Sequence, residues 1–297
     1  MARVANAPTL ALNNGDLIMD GNPMLSLLPN CKQSVWASGD IGRYDSNQYD
    51  SNLGIGEVGL GTRFCNGIQL NLAVGRIYSK AETGFNGKTL LQSTYLRPEV
   101  IYQWGSSSLH TTLTGLYSFG DADIDRGYIN AGNMVQSQGN TSTHTAGARI
   151  RFDWQNALKI DSTNLTPYFS LSYLKTRLSN YTETGGGFPA AWSRRNEDAT
   201  TLHAGVDVVH PLNAKTNLLG RVEAAHRFES QGSDAHGELL GLNAFTINGQ
   251  SIKQSWLRVG GGVQSNIFDG VASLMLNVTT RGETPTYWLN ATYRLTF

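Results

Sequence analysis

The sequence predicts an all-β fold, a closed antiparallel transmembrane β-barrel of about twelve strands. Three observations carry that expectation. The first is the end of the chain, residues 287–297. Tyr287, Leu289, Ala291, Tyr293, Leu295 and Phe297 fall on one face; Trp288, Asn290, Thr292, Arg294 and Thr296 fall on the other, which is polar apart from the indole ring. Period-2 alternation of this length is one membrane-crossing strand. The second is composition. Charged residues are only 15% of 297, yet the mean hydropathy is negative, so Ser, Thr, Asn, Gln and Gly supply the polarity. Such residues suit a wet lumen and surface loops. The third is rhythm: short turns alternate with long connections.

Strands are expected at 33–44, 53–64, 68–80, 92–104, 108–122, 141–155, 166–177, 197–210, 217–229, 251–266, 271–282 and 287–297. The turns at 65–67, 105–107, 213–215 and 268–270 are short, and the connections 81–91, 123–140, 178–196 and 230–250 are long. Bacterial barrels place short turns on the periplasmic rim and long loops outside, which puts both termini on the periplasmic side. The segment 156–165 is longer than its rim predicts.

Facing follows from phase. In 217–229, Leu218, Val222, Ala224 and Phe228 oppose Arg221, Glu223, Arg227 and Glu229. In 141–155, Ala146, Ala148, Ile150, Phe152 and Trp154 oppose Arg149, Arg151 and Asp153; in 251–266, Leu257, Val259 and Val263 oppose Arg258, Gln264 and Asn266. An Arg or Lys facing lipid near the midplane costs about 2–4 kcal/mol, so the charged faces point inward. With Arg97, Glu99, Asp207, Arg281 and Arg294 they give a lumen carrying both signs. In-strand glycines, Gly54, Gly56, Gly59, Gly61 and Gly260, Gly261, Gly262, are expected to serve barrel curvature.

Several classes are excluded. There are 23 residues of each charge sign and no basic block, which argues against a nucleic-acid partner. No run of 18 apolar residues exists, so no transmembrane helix is expected. His110, His144, His203, His210, His226 and His236 lack metal-ligand spacing and are expected at rims or interfaces. No Gly-x-Ser-x-Gly elbow, Walker or dinucleotide fingerprint occurs. No enzyme activity, cofactor or metal is therefore expected. Residues 1–7 hold no apolar leader core, and the chain reads as a fragment of an exported protein.

The stretch 165–173, Leu-Thr-Pro-Tyr-Phe-Ser-Leu-Ser-Tyr, and the following 181–188, Tyr-Thr-Glu-Thr-Gly-Gly-Gly-Phe, resemble the middle of autotransporter translocator domains. So do 223–228, Glu-Ala-Ala-His-Arg-Phe, and 280–289, Thr-Arg-Gly-Glu-Thr-Pro-Thr-Tyr-Trp-Leu. The resemblance covers roughly residues 33–297. It implies a bacterial outer-membrane barrel (33–297) behind an N-terminal linker or plug (1–32), supporting export of an N-terminal passenger. It also implies outer-membrane lipid and the barrel assembly machinery as partners. That machinery would grip the closing strand by Tyr293, Leu295 and the terminal Phe297, through strand addition. A small-solute channel is the competing expectation.

Such domains commonly carry a helix in the lumen, but residues 1–30 contain Pro8, Gly15, Gly21, Pro23 and Pro29. Because proline and glycine disfavour helix interiors, at most a short helix is expected, at 9–14 or 23–28, or an irregular plug. Asn13-Asn14 resembles the paired asparagines at which some autotransporters cut themselves, with Asp40, Glu57, Glu99, Asp207 and Glu223 as the carboxylates to consider. Gly15 after the pair suggests an ordinary flexible turn, which cannot hold the near-attack geometry that cyclisation needs, so an intact chain is expected. Finally, Cys31 precedes the first strand and Cys65 follows the second. An up-and-down strand pair returns both to one rim, neighbouring strands lie about 4.8 Å apart, and the compartment is oxidising. A disulfide is expected.

Overall fold

The computed structural model describes residues 7–21, 27–45, 50–280 and 285–297. Among these residues one helix, α1 (Ala7–Asp20), precedes seventeen strands: β1 (Lys32–Asp45), β2 (Asp50–Arg63), β3 (Ile68–Thr83), β4 (Gly87–Gln103), β5 (Leu109–Asn130), β6 (Asn133–Trp154), β7 (Leu158–Ile160), β8 (Thr163–Leu178), β9 (Tyr181–Thr182), β10 (Ala190–Trp192), β11 (Arg195–Pro211), β12 (Thr216–Arg227), β13 (Ala235–Leu239), β14 (Ala244–Ile247), β15 (Ser255–Ile267), β16 (Gly270–Thr279) and β17 (Tyr287–Thr296).

Twelve of these strands build the wall, each antiparallel to its neighbours. Their order is β11-β12-β15-β16-β17-β1-β2-β3-β4-β5-β6-β8, and β8 pairs with β11 to close the ring. Closure satisfies the backbone groups that lipid cannot. The seam of first and last strands runs from Ser34 opposite Thr296 to Arg43 opposite Tyr287. Gln33 and Phe297 exchange both backbone hydrogen bonds at its end, at 2.9 Å each. The long segment at 156–165 is a small hairpin on the short-turn rim, with β7 folded back on the start of β8.

Two of the expected long loops are strands instead. Residues 123–140 continue β5 and β6 into a hairpin that turns at Ala131-Gly132, and both turn residues have positive φ. The 81–91 connection is mostly β3 and β4, paired as far as Thr83 and Gly87. Period-2 patterning fades there because neither face of a hairpin standing clear of the membrane must be apolar throughout. The other two long connections fold as a four-stranded sheet, β14-β13-β10-β9. It caps the long-loop end with Tyr181, Trp192 and Phe245; the Trp192 and Phe245 rings meet edge to face at 5.2 Å. Arg126 on the β5 extension donates to Glu183 at 2.7 Å, and Glu183 also accepts from Trp192 Nε1 at 2.9 Å. Burial pushes the Tyr181 phenol well above its ordinary range.

Not every in-strand glycine has a packing reason. A Cβ on Gly59 would strike the Trp36 ring, so Gly59 leaves room for an inward indole, whereas Gly54, Gly56 and Gly261 have nothing near them.

The disulfide Cys31–Cys65 is formed, with 4.8 Å between α-carbons and a sequence separation of 34. It ties the entry of β1 to the β2–β3 turn. A loop of that size corresponds to about 3–4 kcal/mol in the chain-entropy account. The paired Cys31→Ser, Cys65→Ser variant should unfold at lower denaturant by up to that amount. Denatured, unreduced wild-type protein should bind no thiol reagent; two labelled thiols would contradict the bond.

Candidate functional site

The barrel encloses α1, and the wall's inward charges converge on it. The helix is longer than the sequence suggests, running unbroken from Ala7 to Asp20 through Gly15. Three features explain the difference. Pro8 lies in the first turn, where its missing N–H costs nothing. Gly21, with φ of +54°, ends the helix: its N–H donates to the Leu17 carbonyl at 3.3 Å, a left-handed cap. Gly15 sits where the helix touches the wall. A Cβ there would lie 3.1 Å from Leu174 and 3.2 Å from Leu116, so close packing offsets its poor propensity. Inside the barrel the helical backbone must also satisfy its own polar groups, which tertiary burial enforces over local preference.

Asn13 and Asn14 are therefore helical and buried rather than in a flexible turn, and Asn14 Oδ1 accepts from the Tyr44 hydroxyl at 3.0 Å. The alternative helix at 23–28 falls largely on residues 22–26, outside the described residues. The expectation that both termini share the short-turn rim can be followed only as far as Ala7, since residues 1–6 lie outside the described residues. Phe297 lies there, but α1 carries Ala7 to the opposite end, where Thr9 Oγ1 donates to Glu197 Oε1 at 2.7 Å near the start of β11. With 14 residues the helix is about 21 Å long.

Asp20 closes the helix in an arginine socket. Its carboxylate meets Arg149 Nη1 from β6 at 2.9 Å, Arg221 Nη1 from β12 at 3.1 Å, and Arg258 Nη1 from β15. A carboxylate in the last turn opposes the helix dipole by itself. Three guanidinium groups reverse that balance and neutralise the negative helix end at the same time. One turn above, Asp16 accepts from Ser172 Oγ at 2.9 Å and lies 3.4 Å from His203 Nε2. His203 Nδ1 is 3.3 Å from Glu223, which accepts from the Tyr168 hydroxyl at 2.6 Å.

Most of the remaining wall charges pair among themselves. Arg97 binds Glu57 at 2.7 Å and lies 3.5 Å from Glu99. Arg151 bridges Asp153 and Asp207 at 2.7 and 2.9 Å, and Arg221 also grips Asp207 at 2.6 Å. Arg227 stands 3.7 Å from Glu197. Arg97, Glu99, Arg149, Arg151, Asp207, Arg221, Glu223, Arg227 and Arg258 are all buried. Arg294 is half-buried and donates to the Leu27 carbonyl at 3.4 Å, while Arg63 donates to Leu28 at 2.5 Å. Arg281 lies outside the described residues. On the closing strand, Leu295 and Phe297 are exposed, and the half-buried Tyr293 donates its hydroxyl to the Ile267 carbonyl at 3.3 Å.

His203 corrects the rim assignment of the histidines. It lies inside the barrel, in contact with the helix. The signal was present in the sequence, since His203 shares the phase of Asp207 on β11. Ser172 and Tyr168 were missed for a different reason: an uncharged inward residue is invisible to a charge-based reading. Among the described residues no group of three His, Cys, Asp or Glu side chains could hold a metal ion.

Space in the lumen is limited. Above Asp20 the interior is packed, with Leu10, Leu12, Leu53, Leu91 and Leu178 in one cluster that reaches the cap. Below it, among Trp36, Glu57, Arg97, Arg149, Trp288 and Arg294, about 80 Å³ is open. That holds a few waters and is far below the several hundred Å³ of a small-molecule pocket.

A family model described as the autotransporter beta-domain matches residues 35–279. The chain belongs to that family. No curated protein matches its sequence. Among solved structures it is similar to the translocator domain of autotransporter NalP from Neisseria meningitidis, with a TM-score of 0.73 and 13% identity over 99% of this chain and 97% of that one. The beta domain of the Bordetella autotransporter BrkA gives 0.59 and 14%, over 89% and 98%. The Pseudomonas putida toluene transporter TodX gives 0.54 and 10%, over 99% and 97%. At these identities the structures show the fold alone, and the family match carries the role. This is an outer-membrane translocator domain serving an N-terminal passenger.

Asp20→Ala should destabilise the folded barrel by about 3–5 kcal/mol, the range for removing one partner of a buried ion pair. Arg149 loses its only carboxylate among the described residues, while Arg221 and Arg258 keep Asp207 and Glu223. The check is the temperature at which the compact electrophoretic form is lost. An unchanged midpoint would show that the socket contributes nothing.

Proposed function

We propose that residues 1–32 form the plug and linker of this translocator and that 33–297 form its wall. In this reading the passenger lies outside the cell, joined to the outer end of α1. The carrying observation is the polarity of the helix: Thr9 sits near the capped end and Asp20 sits in the arginine socket deeper in the wall. A chain that had passed outward through the lumen would leave its last segment in this orientation.

The lumen residues Arg97, Glu99, Arg149, Arg151, Asp207, Arg221, Glu223, Arg227, Arg258 and Arg294 act together as a polar lining. It keeps the interior hydrated during passage and then locks the helix. An extended or hairpinned chain fits such a space, since even a helix with side chains is about 10–12 Å across; a folded domain does not. Tyr293, Leu295 and Phe297 present the closing strand to the barrel assembly machinery, and the outward apolar faces meet lipid. The domain performs transport without chemistry of its own. Ser172 donates to Asp16, an arrangement that positions the helix instead of activating a nucleophile. The opening below Asp20, about 80 Å³ among the described residues, is small for the solute-channel reading.

The test places a small, protease-sensitive reporter upstream of residue 1 in cells. Protease added outside should digest the reporter while the barrel stays intact. A reporter that stays protected, together with uptake of small solutes through the same barrel, would favour the channel.

A further inference from the structure

The lipid-facing wall holds a group of cations that the lumen chemistry does not use. On β8 the outward phase runs Leu165, Pro167, Phe169, Leu171 and Tyr173, and its next two positions are Lys175 and Arg177. The apolar run covers nine residues, about the length that crosses the hydrocarbon of a bilayer. Tyr173 then lies where aromatic residues mark the interface. Because β8 runs away from the short-turn rim, Lys175 and Arg177 stand at the headgroup level of the outer leaflet, on the cell's exterior side.

Neighbouring strands complete the group. On β6, His144 faces Arg177 and Ala146 faces Lys175. On β11, Asn196 faces Arg177, and Arg194 directly precedes that strand. His144, Ala146, Lys175, Arg177, Arg194 and Asn196 line a shallow depression of about 380 Å³ on the outer surface. Lys175, Arg177 and Arg194 are exposed. Among the described residues none of the three makes an ion pair, in contrast to the paired arginines inside. The carboxylates nearby are Asp198, across from Lys175, and Asp121, one strand further round opposite Ser142. The three cations therefore exceed the two nearby carboxylates.

Cations at this height are not needed to hold the wall, since the ladder from Thr143–Leu178 to Asp153–Tyr168 is made by backbone. They suit an anionic headgroup. Long basic side chains lay their stems along an apolar wall and lift their charge to the interface, and Arg and Lys bind phosphate through charge-assisted hydrogen bonds. Tyr173 and Leu171 on β8 and Ile150 on β6, all exposed, lie below the depression as an apolar track for acyl chains.

We propose that this depression is a binding site for a phosphorylated glycolipid of the outer leaflet. Lys175, Arg177 and Arg194 hold its phosphate, and its acyl chains lie on the wall beneath. Only a membrane-anchored phosphate satisfies both halves of the site, so free phosphate should bind poorly.

Native mass spectrometry of the whole barrel, released from mixed micelles, tests this. The probes are diphosphorylated lipid A, the same lipid with its phosphates removed, and inorganic phosphate in excess. Wild-type protein should retain the diphosphorylated lipid. The K175Q/R177Q/R194Q variant should lose retention by roughly fivefold per cation and about a hundredfold together. Folding of the variant is checked by heat-modifiable electrophoretic migration; should it fail to assemble, R177Q and R194Q are compared singly. Equal retention by wild type and variants would overturn the proposal. So would equal retention of the dephosphorylated lipid, or displacement of the bound lipid by inorganic phosphate.

Discussion

A carboxylate on a buried helix, held by three guanidinium groups from three strands of the wall, is the contact around which this barrel is organised. Asp20 carries its charge on the element that occupies the lumen, whereas Arg149, Arg221 and Arg258 belong to the wall. None of these charges is stable alone in such a place, because desolvation of an unpaired ion costs several kcal/mol. The wall and the plug therefore complete each other. The same constraint explains most of the other inward charge: Arg97 with Glu57, Arg151 with Asp153 and Asp207, and His203 between Asp16 and Glu223.

Around that socket the lumen divides into two parts. Toward the exterior, apolar residues of α1 merge with the inner faces of β2–β5 and with the cap sheet in one packed cluster. Toward the short-turn rim the lining is polar, the open space is small, and Arg63 and Arg294 hold the backbone after the helix. The Cys31–Cys65 bond fastens the end of that segment to the wall. The helix is thus held near its start by Glu197 and at its end by the arginine socket, with the disulfide beyond it.

Much of the wall was legible because lipid imposes a strict rule. Charges at alternate positions must turn inward, so Arg221, Glu223 and Arg227 fixed the phase of their strand, and the spacing of short turns fixed the strand number. The rule lapses where lipid ends. The β5–β6 hairpin beyond the membrane and the four small cap strands carry no such alternation, and both were read as loops. The helix was under-read for the opposite reason. Propensity penalised Gly15 and Gly21, yet Gly15 serves contact with Leu116 and Leu174, and Gly21 is the cap itself. His203 was misplaced although its phase with Asp207 was visible, because a neutral-looking imidazole does not announce itself as a lumen charge partner.

Single-channel conductance of the whole chain in planar bilayers tests the central claim most directly. If the socket holds the helix in place, wild-type barrels stay closed at moderate voltage. Asp20→Ala barrels then open intermittently to the level of a chain lacking residues 1–21. Wild-type barrels that conduct as freely as the shortened chain, or an Asp20→Ala variant as silent as wild type, would contradict it.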